Sequence, residues 1–377
     1  MRRDALIAAV IALLAIVWLA QRADEDEAAV SAVSGTALLN AAPEAFDRVT
    51  GPAPLNFPAD HGMHPGYRNE WWYFTGNLAG DDGQRYGFQF TLFRFAVEPG
   101  DQPDSDFATD AVWMAHLAVS DIARERFIAS ERFARDALGL AGATPDEWWL
   151  RDWTVTRAEA GWRLRARTTE VDLDLYLVPA KPIVLQGNAG YSRKGPEPGN
   201  ASRYYSITRM NASGRLEIDA RGTHVDGLAW LDREWGSSQL GEGVVGWDWF
   251  ALQLDDGRDL MLYRLRTDQG TASRFSAGVL VQPGGNYRTL GPEDFEFDEI
   301  RRWRDAGGIE WPVAWRVRLP EMALDFEVRP AFDKQRWQAT VGYWEGAVEV
   351  MDSASGECMG RGYLELSGYA DARRGYR

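Results

Sequence analysis

The chain has 377 residues, more than one small domain holds, and at ~100–200 residues per domain it predicts two. It is 45% hydrophobic and 26% charged, which excludes a mainly disordered protein. Its formal net charge of −15 disfavours a nucleic-acid partner, and its single cysteine, Cys358, excludes an intramolecular disulfide and a multi-thiolate zinc site.

The N-terminus reads as an address. Arg2-Arg3 precede an unbroken apolar run over 5–20, the pattern of a secretory signal or a short anchor. The run is short for a spanning helix, which needs about 20 apolar residues. Trp18 sits where a cleavage site wants a small side chain, so cleavage and anchoring both stay open for residues 1–22. The acidic Asp24-Glu25-Asp26-Glu27 begins an Ala/Ser/Glu-rich tether over 23–50. The expected location is exported, either periplasmic or held at the membrane.

From Glu70 onward the apolar pattern has period two. The stretches 85–94, 162–166, 171–175, 216–218, 260–263 and 315–319 alternate apolar with polar or small residues, as half-buried strands do. Turns are expected at Asp82-Gly83, Ala160-Gly161, Ser213-Gly214, Asp256-Gly257 and Ser355-Gly356. The best short helical candidate is 125–140. Many short strands with close turns predict an all-β protein of antiparallel sandwiches or barrels.

An internal repeat divides the chain. Trp71-Trp72-Tyr73-Phe74-Thr75-Gly76-Asn77-Leu78, followed by Asp81-Asp82-Gly83, overlays Trp247-Asp248-Trp249-Phe250-Ala251-Leu252-Gln253-Leu254, followed by Asp255-Asp256-Gly257. A separation of roughly 175 residues is domain-sized. The expected β-domains are 51–240 and 241–377.

No phosphate-cradling loop, H-E-x-x-H or G-x-S-x-G motif is present, and three stretches instead set polar groups among aromatics. Glu70 stands before Trp71-Trp72-Tyr73, where desolvation would raise its pKa toward acid catalysis; an arginine partner would instead make it structural. His116 lies in the apolar run after Trp113, either as a lumen-facing base or as a satisfied core histidine. Asp232 and Glu234 flank Arg233 between Trp230 and Trp235. On one strand face they would share a proton; paired with Arg94, Arg203 or Arg209 they would form an ion-pair network. His61 and His64 fall in an irregular Gly/Pro loop without a further ligand, so no metal is expected.

The stretches Glu70-Trp71-Trp72-Tyr73-Phe74-Thr75-Gly76, Ala115-His116, Tyr204-Tyr205-Ser206, Asp232-Arg233-Glu234-Trp235-Gly236-Ser237 and Gly246-Trp247-Asp248-Trp249-Phe250 resemble the AttH/CrtC-like family. These are lipocalin-like proteins that include carotenoid 1,2-hydratases. The resemblance runs from about His64 into the C-terminal tail. It implies two consecutive lipocalin-like β-domains and, for the hydratases, cofactor-free addition of water to an acyclic carotenoid. Other members resemble exported proteins encoded beside transporter components. The resemblance also implies a histidine between the Asp and Glu of the Trp-Gly-Ser stretch. Arg233 stands there instead, and arginine cannot shuttle protons.

Two functions follow. The first is an exported protein that binds a hydrophobic lipid or isoprenoid, linked to an ABC-type transporter or the membrane surface. The alternative is a cofactor-independent hydratase, with Asp232 as acid, His116 as the base that orients water, and Glu70 in support. In either case Trp71, Trp72, Tyr73, Trp113, Tyr204, Trp235, Trp247 and Trp249 are the expected ligand-binding residues.

Overall fold

The computed structural model describes residues 45–100, 105–237 and 240–370. The apolar run 5–20 and most of the expected tether lie outside them. The end of that tether packs against the body, with Phe46 and Val49 buried. No helix among the described residues is long and apolar enough to cross a membrane.

The structure is all-β, with two curled antiparallel sheets in the lipocalin-like manner. The first sheet contains β1 (Asn69–Gly80), β2 (Arg85–Ala96), β3 (Ala111–Asp121), β4 (Arg126–Arg135), β5 (Ala141–Ala143), β6 (Glu147–Leu150), β7 (Trp153–Ala158), β8 (Gly161–Arg167), β9 (Val171–Pro179), β10 (Val184–Leu185), β11 (Tyr191–Arg193), β12 (Ala201–Ile218) and β13 (Arg221–Gly236). The second contains β14 (Val244–Leu254), β15 (Asp259–Thr267), β16 (Ala277–Val281), β17 (Tyr287–Leu290), β18 (Glu296–Arg304), β19 (Glu310–Leu319), β20 (Leu324–Pro330), β21 (Arg336–Gln338), β22 (Gly342–Asp352) and β23 (Cys358–Ser367).

The sheets repeat one topology. The first runs β4-β3-β2-β1-β13-β12-β9-β8-β7-β6-β5 and the second β17-β16-β15-β14-β23-β22-β20-β19-β18. In each, the first strand pairs with the last, β1 with β13 and β14 with β23. The two hairpins of the sequence repeat, β1–β2 and β14–β15, occupy matching places. Their turns carry Gly83 and Gly257 at φ +78° and +87°, a conformation open to glycine.

Alternation builds the cores. On β9, Val171, Leu173, Leu175 and Leu177 are buried while Asp172, Asp174 and Tyr176 face outward. Such inward faces give each sheet its own apolar core. A further cluster lies between the sheets and joins Tyr73, Tyr204 and Trp230 to Trp249, Met261, Tyr263 and Tyr363.

Two expected elements differ. The helical candidate 125–140 is β4 followed by a single 3-10 turn, because its apolar residues pair across to β3 rather than forming a helical stripe. The turn expected at Ser213-Gly214 is absent: β12 runs straight through it and turns at Asp219-Ala220. A Cβ on Gly214 would lie 2.1 Å from the Asp174 carbonyl oxygen, so this glycine serves close strand approach.

The sheets are also tied by charge. Asp259 on β15 is fully buried and accepts hydrogen bonds from Thr208 (2.8 Å) and Arg209 Nε (2.9 Å) of β12, with Lys181 Nζ at 2.7 Å. Removing one partner of a buried ion pair leaves the other uncompensated. Asp259→Ala is expected to cost about 3 kcal/mol, read as a lower urea midpoint of unfolding.

Candidate functional site

A cavity of about 140 Å³ opens between the outward faces of the two sheets. The first sheet supplies Trp71 and Tyr73 of β1, Phe93 and Phe95 of β2, Met114 and His116 of β3, Tyr204 of β12, and Asp232 and Glu234 of β13. Lys194 enters from just beyond β11. The second supplies Trp247 and Trp249 of β14, Tyr263 and Leu265 of β15, Tyr343 and Glu345 of β22, and Glu365 and Ser367 of β23. Trp71, Phe93, Phe95 and Trp247 are partly exposed and mark the mouth.

The walls correspond. Tyr73 lies opposite Asp232 in the β1–β13 register, and Trp249 lies opposite Glu365 in the β14–β23 register. Each copy of the repeat thus presents an aromatic ring beside a carboxylate.

The acids sit in an apolar setting. Asp232 is buried and accepts from Tyr204 Oη (2.5 Å), Ser206 Oγ (2.5 Å) and Trp230 Nε1 (2.7 Å). Burial outweighs these bonds and the Lys194 ammonium, and pushes the Asp232 carboxyl up to about 6. Across the cavity, Glu345 is fully buried and lies directly opposite Glu365. It accepts from Tyr73 Oη. Desolvation and the Glu365 charge hold Glu345 well above the ordinary carboxyl range. Glu365 is partly buried and accepts from Trp247 Nε1 at 2.8 Å; desolvation pushes it up to about 7. Two such neighbours cannot both ionise near neutrality, so they retain a proton. Glu234 instead contacts Lys194 and Ser202. Burial pulls the Lys194 ammonium down, and Asp232 opposes the fall.

His116 is fully buried, with Nδ1 at 2.5 Å from Tyr343 Oη and Nε2 at 3.0 Å from Glu131. Burial lowers its pKa and favours the neutral ring.

Of the residues singled out in the sequence, the cavity gathers Asp232, His116, Trp71, Tyr73, Tyr204, Trp247 and Trp249. Glu70, Trp72, Trp113 and Trp235 do not line it. Trp72 and Trp113 lie on the opposite strand faces and stack in the first core at 5.7 Å. Glu70 shares that opposite face and meets Arg94 Nη1 at 3.0 Å and Arg233 Nη2 at 2.5 Å. Burial opposes its ionisation, but Arg233, His64 and Arg94 overcome this and hold the carboxyl far below its usual range. It is a structural anion, not an acid of the cavity. Trp235 stacks on His64 at 3.9 Å, with Arg233 held over the rings of Trp72 and Trp235. Position 233 therefore points away from the cavity, and its arginine removes no group from the walls. Of the three arginines expected as partners of Asp232 and Glu234, Arg94 pairs with Glu70 and Arg209 with Asp259 instead.

Sequence reasoning missed Glu345, Glu365, Lys194, Tyr263 and Tyr343. Tyr343-Trp344-Glu345 does set a carboxylate beside a tryptophan, the same signal that drew notice to Glu70. Lys194 follows an irregular segment and carries no such signal. Among the described residues no group of three or more His, Cys, Asp or Glu is placed to hold a metal ion.

The fold and cavity together define a duplicated, lipocalin-like protein whose acid-bearing site lies between its two sheets. The sequence model of the AttH-like family matches residues 48–369, and the chain belongs to that family. An AttH-type protein from Nitrosomonas europaea is 37% identical, with 85% of this chain and 98% of that one covered and a TM-score of 0.77. Kievitone hydratase from Nectria haematococca shares the fold at 13% identity, with coverage of 86% and 98% and a TM-score of 0.63. CghA does so at 14% identity, with coverage of 88% and 97% and a TM-score of 0.51. No curated protein matches the chain.

The raised pKa of Asp232 has a stability consequence. Between pH 4 and 6 the unfolded chain has lost this proton while the folded protein keeps it, so the contribution of Asp232 to stability falls as pH rises through that window. Asp232→Asn removes this dependence. Its stability relative to the parent is expected to rise by about 2 kcal/mol from pH 4 to pH 6 and then level off, checked by urea unfolding at each pH.

Proposed function

We propose that the inter-sheet cavity binds the end of an apolar, olefin-bearing small molecule and adds water across its double bond by acid–base catalysis. The observation that carries this reading is Asp232, a buried carboxyl held near neutral pKa against aromatic rings, with the Glu345–Glu365 pair facing it. A carboxylic acid protonates one olefinic carbon. The cation that forms at the other carbon lies among Trp71, Trp247 and Trp249, whose ring faces each attract a cation by roughly 0.5–2 kcal/mol. Water adds there, and its surplus proton passes to a carboxylate, restoring the acid. The chemistry uses only side chains of the chain itself.

Size bears on the ligand. A cavity near 150 Å³ holds about one benzene-sized molecule. An acyclic isoprenoid would therefore insert its terminus and leave its length in the mouth, which suits addition at a terminal double bond. Kievitone hydratase shares the fold and adds no residue-level support.

The run 5–20 supports reading the protein as exported, in the periplasm or anchored at the membrane, where lipid-like ligands reside. Handing the ligand to membrane-transport components fits the same placement. Carriage without chemistry is the second reading. It draws support from the apolar walls at the mouth.

The test is incubation of the purified protein with a lipid and isoprenoid extract of its own host, followed by mass spectrometry. The expected result is a species heavier by one water, with its formation reduced about 100-fold or more in Asp232→Asn. A bound, unaltered lipid retained equally by Asp232→Asn would overturn the hydratase reading in favour of carriage.

A further inference from the structure

A line of polar side chains runs from the cavity wall to the partly exposed Glu131 of β4. Tyr343 and Glu345 stand on the same face of β22, two residues apart, and both line the cavity. Tyr343 Oη meets His116 Nδ1 at 2.5 Å, and His116 Nε2 meets Glu131 Oε2 at 3.0 Å. His116 and Glu131 face each other across β3 and β4. The Glu131 side chain is 16% exposed, whereas His116 is fully buried. The middle of the line is sheathed by rings: Trp337 lies 4.4 Å from the His116 imidazole and Phe93 lies 5.3 Å from it. Thr340 Oγ1 donates to the other Glu131 oxygen at 2.9 Å and fixes its carboxylate.

We propose that Glu131, His116 and Tyr343 form a proton relay that joins solvent to Glu345. A ligand seated in the cavity covers the mouth, so exchange of the Glu345 proton with solvent would run along this line. In one passage inward, a proton from solvent binds the Glu131 carboxylate, and that Glu131 O–H breaks as His116 Nε2–H forms. His116 Nδ1–H breaks as a new Tyr343 O–H forms, and the original Tyr343 O–H breaks as Glu345 O–H forms. One proton leaves Glu131, one arrives at Glu345, and the imidazole changes tautomer. Burial keeps His116 neutral, which leaves one nitrogen free to accept at each passage. Rotation of the Tyr343 hydroxyl and return of the imidazole to its first tautomer reset the line.

The relay rests on the reading of the cavity as a proton-transfer site, but its test needs no substrate, so the two fail separately. The carbonyl stretch of the protonated Glu345 carboxyl is followed by infrared spectroscopy after rapid mixing of the full chain into deuterium oxide. The band is assigned by its loss in Glu345→Gln. Tyr343→Phe keeps the ring that stacks on Trp337 and removes only the hydroxyl. Glu131→Gln cuts the outer end at a partly exposed site. Exchange is expected to slow about tenfold or more in each, with the band retained. Exchange at the parent rate in either folded variant, or no protonated Glu345 band in the parent, overturns the relay. Should Tyr343→Phe not fold, Glu131→Gln alone decides.

Discussion

The two-residue period of the β-strand sorts this protein's side chains into those that pack and those that face the cavity. On β1, Trp72 and Phe74 enter the first core while Trp71 and Tyr73 face the second sheet. On β13 the same parity sends Asp232 and Glu234 to the cavity and Arg233 away from it. The two buried carboxylates Glu70 and Asp232 illustrate what each side does to an acid. Glu70 finds two guanidiniums and is held ionised. Asp232 finds hydroxyls, an indole and one lysine at a distance, and desolvation wins. The carboxyls with raised pKa thus lie on the face that carries no arginine among its described lining residues.

Duplication supplies the opposite wall. Because β14 and β23 repeat the places of β1 and β13, the outward face of the second copy also carries a tryptophan opposite a carboxylate. Packed face to face, the copies enclose a space that neither core contains. The copies have diverged around this plan. The first supplies Lys194 and Tyr204 beside its acid, and the second sets two glutamates across adjacent strands. That asymmetry gives a bound molecule one end that differs from the other.

Much of the fold was legible in the sequence. Alternation, turn residues and the hairpin repeat pointed to antiparallel sheets in two copies. The exceptions have local causes. Gly214 marks close strand approach instead of a turn, and the apolar residues of 125–140 belong to an edge strand pairing with β3. The site was legible only in part, because a run such as Glu70-Trp71-Trp72-Tyr73 does not reveal its own parity. A shift of one residue exchanges core and cavity, so Trp72 and Glu70 looked as suitable as Trp71 and Tyr73. Glu345 and Glu365 were missed because each meets Asp232 only through the packing of the two sheets, at a sequence distance no local pattern spans. Polar groups among aromatics located the Asp232 stretch, but only the register showed that Arg233 leaves the cavity intact.

In each sheet the first strand pairs with the last, and the cavity belongs to neither sheet alone. A molecule that fills it therefore touches both copies and acts as an adhesive between them. Occupancy and docking of the halves are then a single linked equilibrium, and saturation at 100 times the dissociation constant would strengthen the joint by about 2.7 kcal/mol. A tightly held ligand would leave the protein stiff and resistant to proteolysis at the seam. Its release would loosen that seam, so the state of the cavity would be readable from outside by anything that grips both halves.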